Sequence, residues 1–160
     1  LVTTSEELAD KTIAEIERQV QYLSRKEIIE KSLQDFGVAI ICDNTFYAVE
    51  LANKIAPEHL EVLMENPLEY IGKLDNAGSV FLGQYASEPL GDYYAGPNHV
   101  LPTSGTAKFF SPLGVSSFTK RSSFIYYTEQ ALREAKDDIV LVAEKEGLTA
   151  HANAIKVRFE

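Results

Sequence analysis

All six prolines of this 160-residue chain fall between Pro57 and Pro112, and seven of its nine glycines lie between Gly72 and Gly114. The middle third therefore mixes residues that lock a backbone torsion with residues that release one. Its densest part, Gly91 to Thr106, does not read as a regular element. Asp92 and His99 stand either side of Gly96-Pro97-Asn98, a turn sequence that can fold the segment back and bring a carboxylate and an imidazole to one place. The same composition also suits a plain polar connection.

The flanks carry the periodic patterns. Leu1-Val2-Thr3 reads as a strand. Thr4 and Glu7 form a capping box ahead of apolar residues at Leu8, Ile13, Ile16, Val20 and Leu23, and Ser24 and Glu27 repeat the box ahead of Ile28, Ile29, Leu33 and Phe36, with Gly37 as the stop. Val38 to Cys42 reads as a buried strand in which Cys42, the only cysteine, is a small core residue. Asp43 or Asn44 caps a third helix that Ala56-Pro57 ends. An extended piece from Leu60 to Met64, a helix over Pro67 to Leu74 and a strand over Ser79 to Leu82 follow. Beyond the glycine-rich centre come one or two helical turns over Val115 to Lys120 and a strand over Phe124 to Tyr127. Next is a helix marked by Leu132, Ala135, Ile139, Val142 and Ala143 that Gly147 terminates. A last helix runs from Leu148 to Arg158 with Ile155 inward. This order predicts an α/β protein built on a partial doubly wound, mostly parallel sheet with flanking helices, followed by a tail of different, helical character.

A formal net charge of -9 disfavours nucleic acid and anionic membrane as partners, because either requires a basic face to displace counterions. No apolar run approaches the ~20 residues of a membrane span, and the opening residues lack the pattern of a signal peptide, so the cytoplasm is the expected compartment. Small molecules are the expected ligands. The chain opens on Leu rather than Met, which suggests a fragment.

Three histidines are present, each with an acid nearby: Glu58 beside His59, Asp92 before His99, Glu146 before His151. Glu58 and His59 are adjacent and point to different faces of any regular element, so they converge only from an irregular turn, which Pro57 favours. Glu146 and His151 lie ~140° apart on a continuous helix, but Gly147 breaks that helix and can turn both side chains to one site. An imidazole held by a carboxylate serves as a general base, whereas separated Asp and His residues suit zinc or another divalent ion; spacing leaves both open. Neither a Gly-x-Gly-x-x-Gly fingerprint nor a P-loop is present.

Longer motifs narrow the choice. Ala56-Pro57-Glu58-His59-Leu60-Glu61, Asn76 through Gly83, Gly91-Asp92-Tyr93 with Ala95 through Thr103, Lys120-Arg121-Ser122-Ser123 and Glu146 through His151 together resemble histidinol dehydrogenase over nearly the whole chain. The resemblance implies a zinc-dependent homodimer that oxidises L-histidinol to L-histidine through an aldehyde, consuming two NAD. By residue match it implies Glu58 and His59 as the proton-relay pair, Asp92 and His151 as zinc ligands, Glu146 as a substrate contact and His99 as another. His59, Asp92 and His151 also border the substrate. It assigns no NAD-contacting residue in this stretch. It further implies a division into part of a Rossmann-like sheet domain, 1–118, holding Glu58, His59 and Asp92, and a small tail, 119–160, that reaches the partner subunit. Two other readings compete: a small metal-dependent hydrolase with Asp92, His99 and His151 as ligands and Glu58 as base, and a non-catalytic dimerisation module.

Overall fold

The computed structural model describes residues 1–160, which divide into two compact units, Leu1–Phe118 and Thr119–Glu160. The first contains β1 (Val2–Thr3), α1 (Glu6–Val20), α2 (Lys26–Phe36), β2 (Ile40–Ile41), α3 (Thr45–Ile55), β3 (His59–Val62), β4 (Ser79–Leu82) and α4 (Glu88–Tyr93). The second contains α5 (Glu129–Lys145) and α6 (Thr149–Lys156). The result is a mixed helix-and-strand fold in which β1 pairs with β2 and β3 with β4, both in parallel. Parallel pairing requires a crossover, and here α1 and α2 together supply the first one.

Several helix ends differ from the sequence reading. Ser5, not Thr4, caps α1 by accepting from the Leu8 amide at 3.1 Å. No side chain caps α2, whose start falls at Arg25 instead of Ser24. Gly37 ends α2 in an extended conformation, and its reason for being glycine is space: a Cβ there would lie 2.4 Å from the Leu33 carbonyl oxygen. Of the two expected candidates, Asn44 and not Asp43 caps α3, accepting from the Tyr47 amide at 3.1 Å. Over Pro67–Lys73 the chain forms a 3₁₀ helix rather than an α-helix.

Strands are shorter than expected. Only Ile40–Ile41 of the Val38–Cys42 run is paired, because β1 offers just two residues; Val38 and Ile41 are exposed and Cys42 is half-buried. Phe124–Tyr127 is not a strand. No backbone lies alongside to pair with it, and Phe124, Ile125 and Tyr126 stand almost fully in solvent. The expected continuous sheet is thus two separate two-stranded pairs, with apolar residues such as Ile28 and Phe36 on the helices left uncovered.

Two local features set the entry to β3. Ala56 ends α3 with φ 52 and ψ 61, its amide donating to the Ala52 carbonyl at 2.9 Å, and it is completely buried. This is the left-handed helix cap normally given to glycine, here held by an alanine and followed by Pro57. The Asn53 side chain then ties α3 to the chain entering β4: it donates to the Lys73 carbonyl at 2.8 Å and accepts from the Asp75 and Asn76 amides at 2.9 and 3.2 Å.

In the second unit, Thr128 caps α5 and Gly147 ends it with φ 75. The Gly147 and Leu148 amides donate back to the Glu144 and Ala143 carbonyls at 3.0 and 2.8 Å, the paired bonds of a Schellman turn. Ala143 and Ala152 are its buried residues, small enough to let α5 and α6 meet closely.

Candidate active site

The site is built on one face of the β3–β4 pair. Alternation along a strand places His59 and Glu61 on the same side, and the register adds Ser79 and Phe81 beside them. α4 lies on this face through three attachments. At its start the Glu88 amide donates to Glu61 Oε1 at 2.9 Å. At its middle Gly91 meets the buried Phe81 ring so closely that a Cβ would stand 2.4 Å from Cε1. Near its end Asp92 Oδ1 comes within 3.6 Å of His59 Nε2. A six-residue helix is not stable by itself, so these attachments define where its side chains go.

The spacing of Glu88 and Asp92 puts both carboxylates on one side of α4. With His59 they form a cluster whose donor atoms all lie within 4.8 Å of one another. His59 Nε2 is buried and has no hydrogen-bond partner, since 3.6 Å to Asp92 is an ion-pair separation but too long for a hydrogen bond. A buried ring nitrogen facing two carboxylates is a donor set suited to a divalent cation, and equally to an imidazole that exchanges protons with a ligand. Desolvation, then the hydrogen bond to and charge of Asp92, push the Glu88 carboxyl above the ordinary carboxylate range, with His59 acting in the opposite sense. The Phe81 ring, 6.0 Å from the imidazole between centroids, forms an apolar wall.

The family model that matches this sequence is that of histidinol dehydrogenase, over residues 1–159. The chain belongs to the histidinol dehydrogenase family. It is 61% identical over 159 residues to the histidinol dehydrogenase of Caldanaerobacter subterraneus subsp. tengcongensis, a match covering 99% of this chain and 37% of that protein. It is 62% identical over 160 residues to the one from Listeria monocytogenes, covering 100% of this chain and 38% of the relative. Its fold is similar to the crystal structure of histidinol dehydrogenase from Elizabethkingia anophelis, with a TM-score of 0.73 at 37% identity over 99% of this chain and 36% of that one. The chain thus spans a little over a third of the length of the histidinol dehydrogenases it matches.

Against the family motifs, the residues fall as follows. His59 and Asp92 meet in the cluster just described. Glu58 sits at the bend just before β3, half-buried and outside the cluster, with its carbonyl accepting from the Ser79 amide at 2.8 Å. His99 is exposed, and the imidazole facing Asp92 is that of His59 instead. The turn around His99 is held by Asn98, which donates to the Leu113 carbonyl at 2.6 Å and accepts from the Val100 amide at 2.9 Å. In the second unit Glu146 and His151 both line a groove of about 420 Å³ between α5 and α6, floored by Ile139, Val142 and Ala143. The Schellman turn at Gly147 is what brings them to the same groove.

Neither Glu88 nor Glu61 was given a role from the sequence, although Glu61 closes the Ala56–Glu61 motif. A signal for Glu88 existed: Ser87-Glu88-Pro89 is a helix start with proline in its first turn, and Asp92 follows one helical turn later. Glu61 had none, because its role depends on which face of β3 receives α4.

Proposed function

We propose that this chain supplies part of the active site of a cytoplasmic, zinc-dependent histidinol dehydrogenase. The reaction is the oxidation of L-histidinol to L-histidine through L-histidinaldehyde with two NAD, carried out by a homodimer whose site is shared between subunits. Family membership supports the reaction class, and the buried, unpartnered His59 Nε2 facing Asp92 and Glu88 is the observation that carries the assignment to this site.

The carboxylate oxygens of Asp92 and Glu88 suit a divalent cation, with His59 beside them as the base and not as a ligand. Asp92 would hold the ion from this unit, and His151 is the ligand assigned in the second. A zinc ion bound there supplies a positive centre that orients the substrate's imidazole and amine. NAD, when bound, supplies the hydride acceptor, and no residue of this chain is assigned to it.

The remaining work falls to side chains. His59 Nε2 takes the hydroxyl proton as the carbinol carbon is oxidised, with Asp92 favouring the charged imidazolium that results. Glu58 takes a proton from the water that adds to the aldehyde before the second oxidation. Glu146 and His99 bind substrate. Phe81 keeps bulk water from the imidazole on one side.

The test is NADH formation from L-histidinol by the full-length protein. His59→Asn should lower kcat by roughly 10²- to 10⁴-fold, the usual contribution of a positioned base, while bound metal stays at the wild-type level. Unchanged turnover would refute the assignment, and loss of metal would make His59 a ligand in place of a base.

A further inference from the structure

We infer that Glu61 is a positioning residue for this site, acting through the backbone of α4; the inference rests on the proposal that Asp92 holds the metal. Glu61 and His59 project from the same face of β3, two residues apart, so one rigid strand presents both the base and the anchor for the helix that faces it. The anchor is specific. Glu61 Oε1 accepts from the Glu88 amide at 2.9 Å, one of the amide groups at the α4 start that has no partner within the helix. Ser87, which occupies the ordinary capping position, makes no side-chain bond there, so Glu61 takes over that function from a different element.

The geometry leaves α4 little else to hold it in register. It has six residues, Gly91 contacts Phe81 without a side chain of its own, and the Asp92 separation from His59 is too long for a hydrogen bond. Freed at its start, the helix can slide or fray, and both carboxylates move relative to Nε2. Glu61 is not one of the three clustered donors, although its charge adds to the rise of the Glu88 carboxyl; through the α4 start it sets their spacing.

Three variants of the full-length protein test this, read by zinc affinity in chelator competition and by hydrogen exchange at the Glu88 amide. Glu61→Ala should weaken zinc binding by about five- to tenfold, the scale of losing one helix cap, and should speed exchange at Glu88 by a similar factor. Glu61→Gln keeps an oxygen acceptor and should restore both to within about twofold of wild type, which a general loss of stability would not do. Asp92→Ala is the reference. If it keeps wild-type zinc affinity, the metal assignment fails, and exchange at Glu88 still decides whether Glu61 holds α4. If Asp92→Ala loses zinc while Glu61→Ala binds it normally, the inference about Glu61 is overturned and the metal assignment stands. A Glu61→Gln protein as weak as Glu61→Ala overturns it as well.

Discussion

Replacing Gly91 by alanine adds one methyl group at the most crowded point of the site. The new Cβ would stand 2.4 Å from Phe81 Cε1 and 2.9 Å from Cζ, so the ring or the helix must give way by about 1 Å to reach ordinary contact. Phe81 is buried, so its ring cannot turn away without displacing neighbours or entering solvent. Overpacking of this kind costs about 1–3 kcal/mol, and alanine returns about 1 kcal/mol through its better helix propensity, leaving a net loss of about 0–2 kcal/mol. The helix is the lighter partner and should move, carrying Asp92 with it; with Asp92 in its proposed metal-holding role, a misplacement of about 1 Å should lower turnover by about 10²-fold. Urea titration and steady-state kinetics of the full-length protein read the two effects. Phe81→Leu removes the ring edge, so Gly91→Ala should be less harmful in that background, with a coupling of at least about 0.5 kcal/mol between the two sites. Strict additivity, or a Gly91→Ala protein with wild-type stability and turnover, would show that α4 does not rest on Phe81.

Glu88→Gln tests the raised carboxyl. A folded-state pKa above the ordinary 4.5 means that folding favours protonated Glu88, so wild-type stability from this group is full below that value and declines as pH rises through the raised one. The neutral amide escapes the decline: metal-free Glu88→Gln should melt higher than wild type at pH 7 and equally with it below 4.5, and a pH-independent difference would contradict the shift. Ala56→Val forces a β-branched residue into a buried left-handed position and should destabilise by about 2–4 kcal/mol in denaturant titration, whereas Ala56→Gly should lie within about 1 kcal/mol of wild type. For the shared site, mixing inactive Asp92→Ala and His151→Ala subunits of the full-length protein should restore activity, because one composite site of each heterodimer carries neither lesion. Verified heterodimers without activity would place both ligands in one chain.

What the sequence made legible follows from how local each signal was. The αL stop at Gly147, the Asn44 cap and the Ser79–Leu82 strand depend on neighbours within a few residues, and all three are present. The strand expected at Phe124–Tyr127 failed because aromatic and branched residues favour a pleated surface only when a partner strand exists. The shortening of Val38–Cys42 to two residues has the same origin. At the site, the choice of His59 and Asp92 as candidates was legible through their residue types and motifs. That they would meet each other, with His99 in solvent, was not, since the meeting depends on α4 crossing a face chosen by strand register. The six-residue α4 was itself hidden by Pro89 and Gly91, which read as loop residues until the Phe81 ring gives Gly91 its reason.

The unequal construction of the two parallel pairs also bears on the order in which the chain acquires its structure. β3 and β4 join four residues each, while β1 and β2 join two across a connection roughly twice as long. Each doubling of a loop adds about 0.6 kcal/mol to the entropy of closing it, and the shorter ladder has fewer bonds to offset that loss. The pair carrying His59 and Glu61, already clamped to α3 by Asn53, therefore has the lower barrier. In refolding, the bed on which α4 rests should form ahead of the β1–β2 ladder, and pulse-labelled hydrogen exchange that protects Ile40–Cys42 before Ser79–Gly83 would contradict that order.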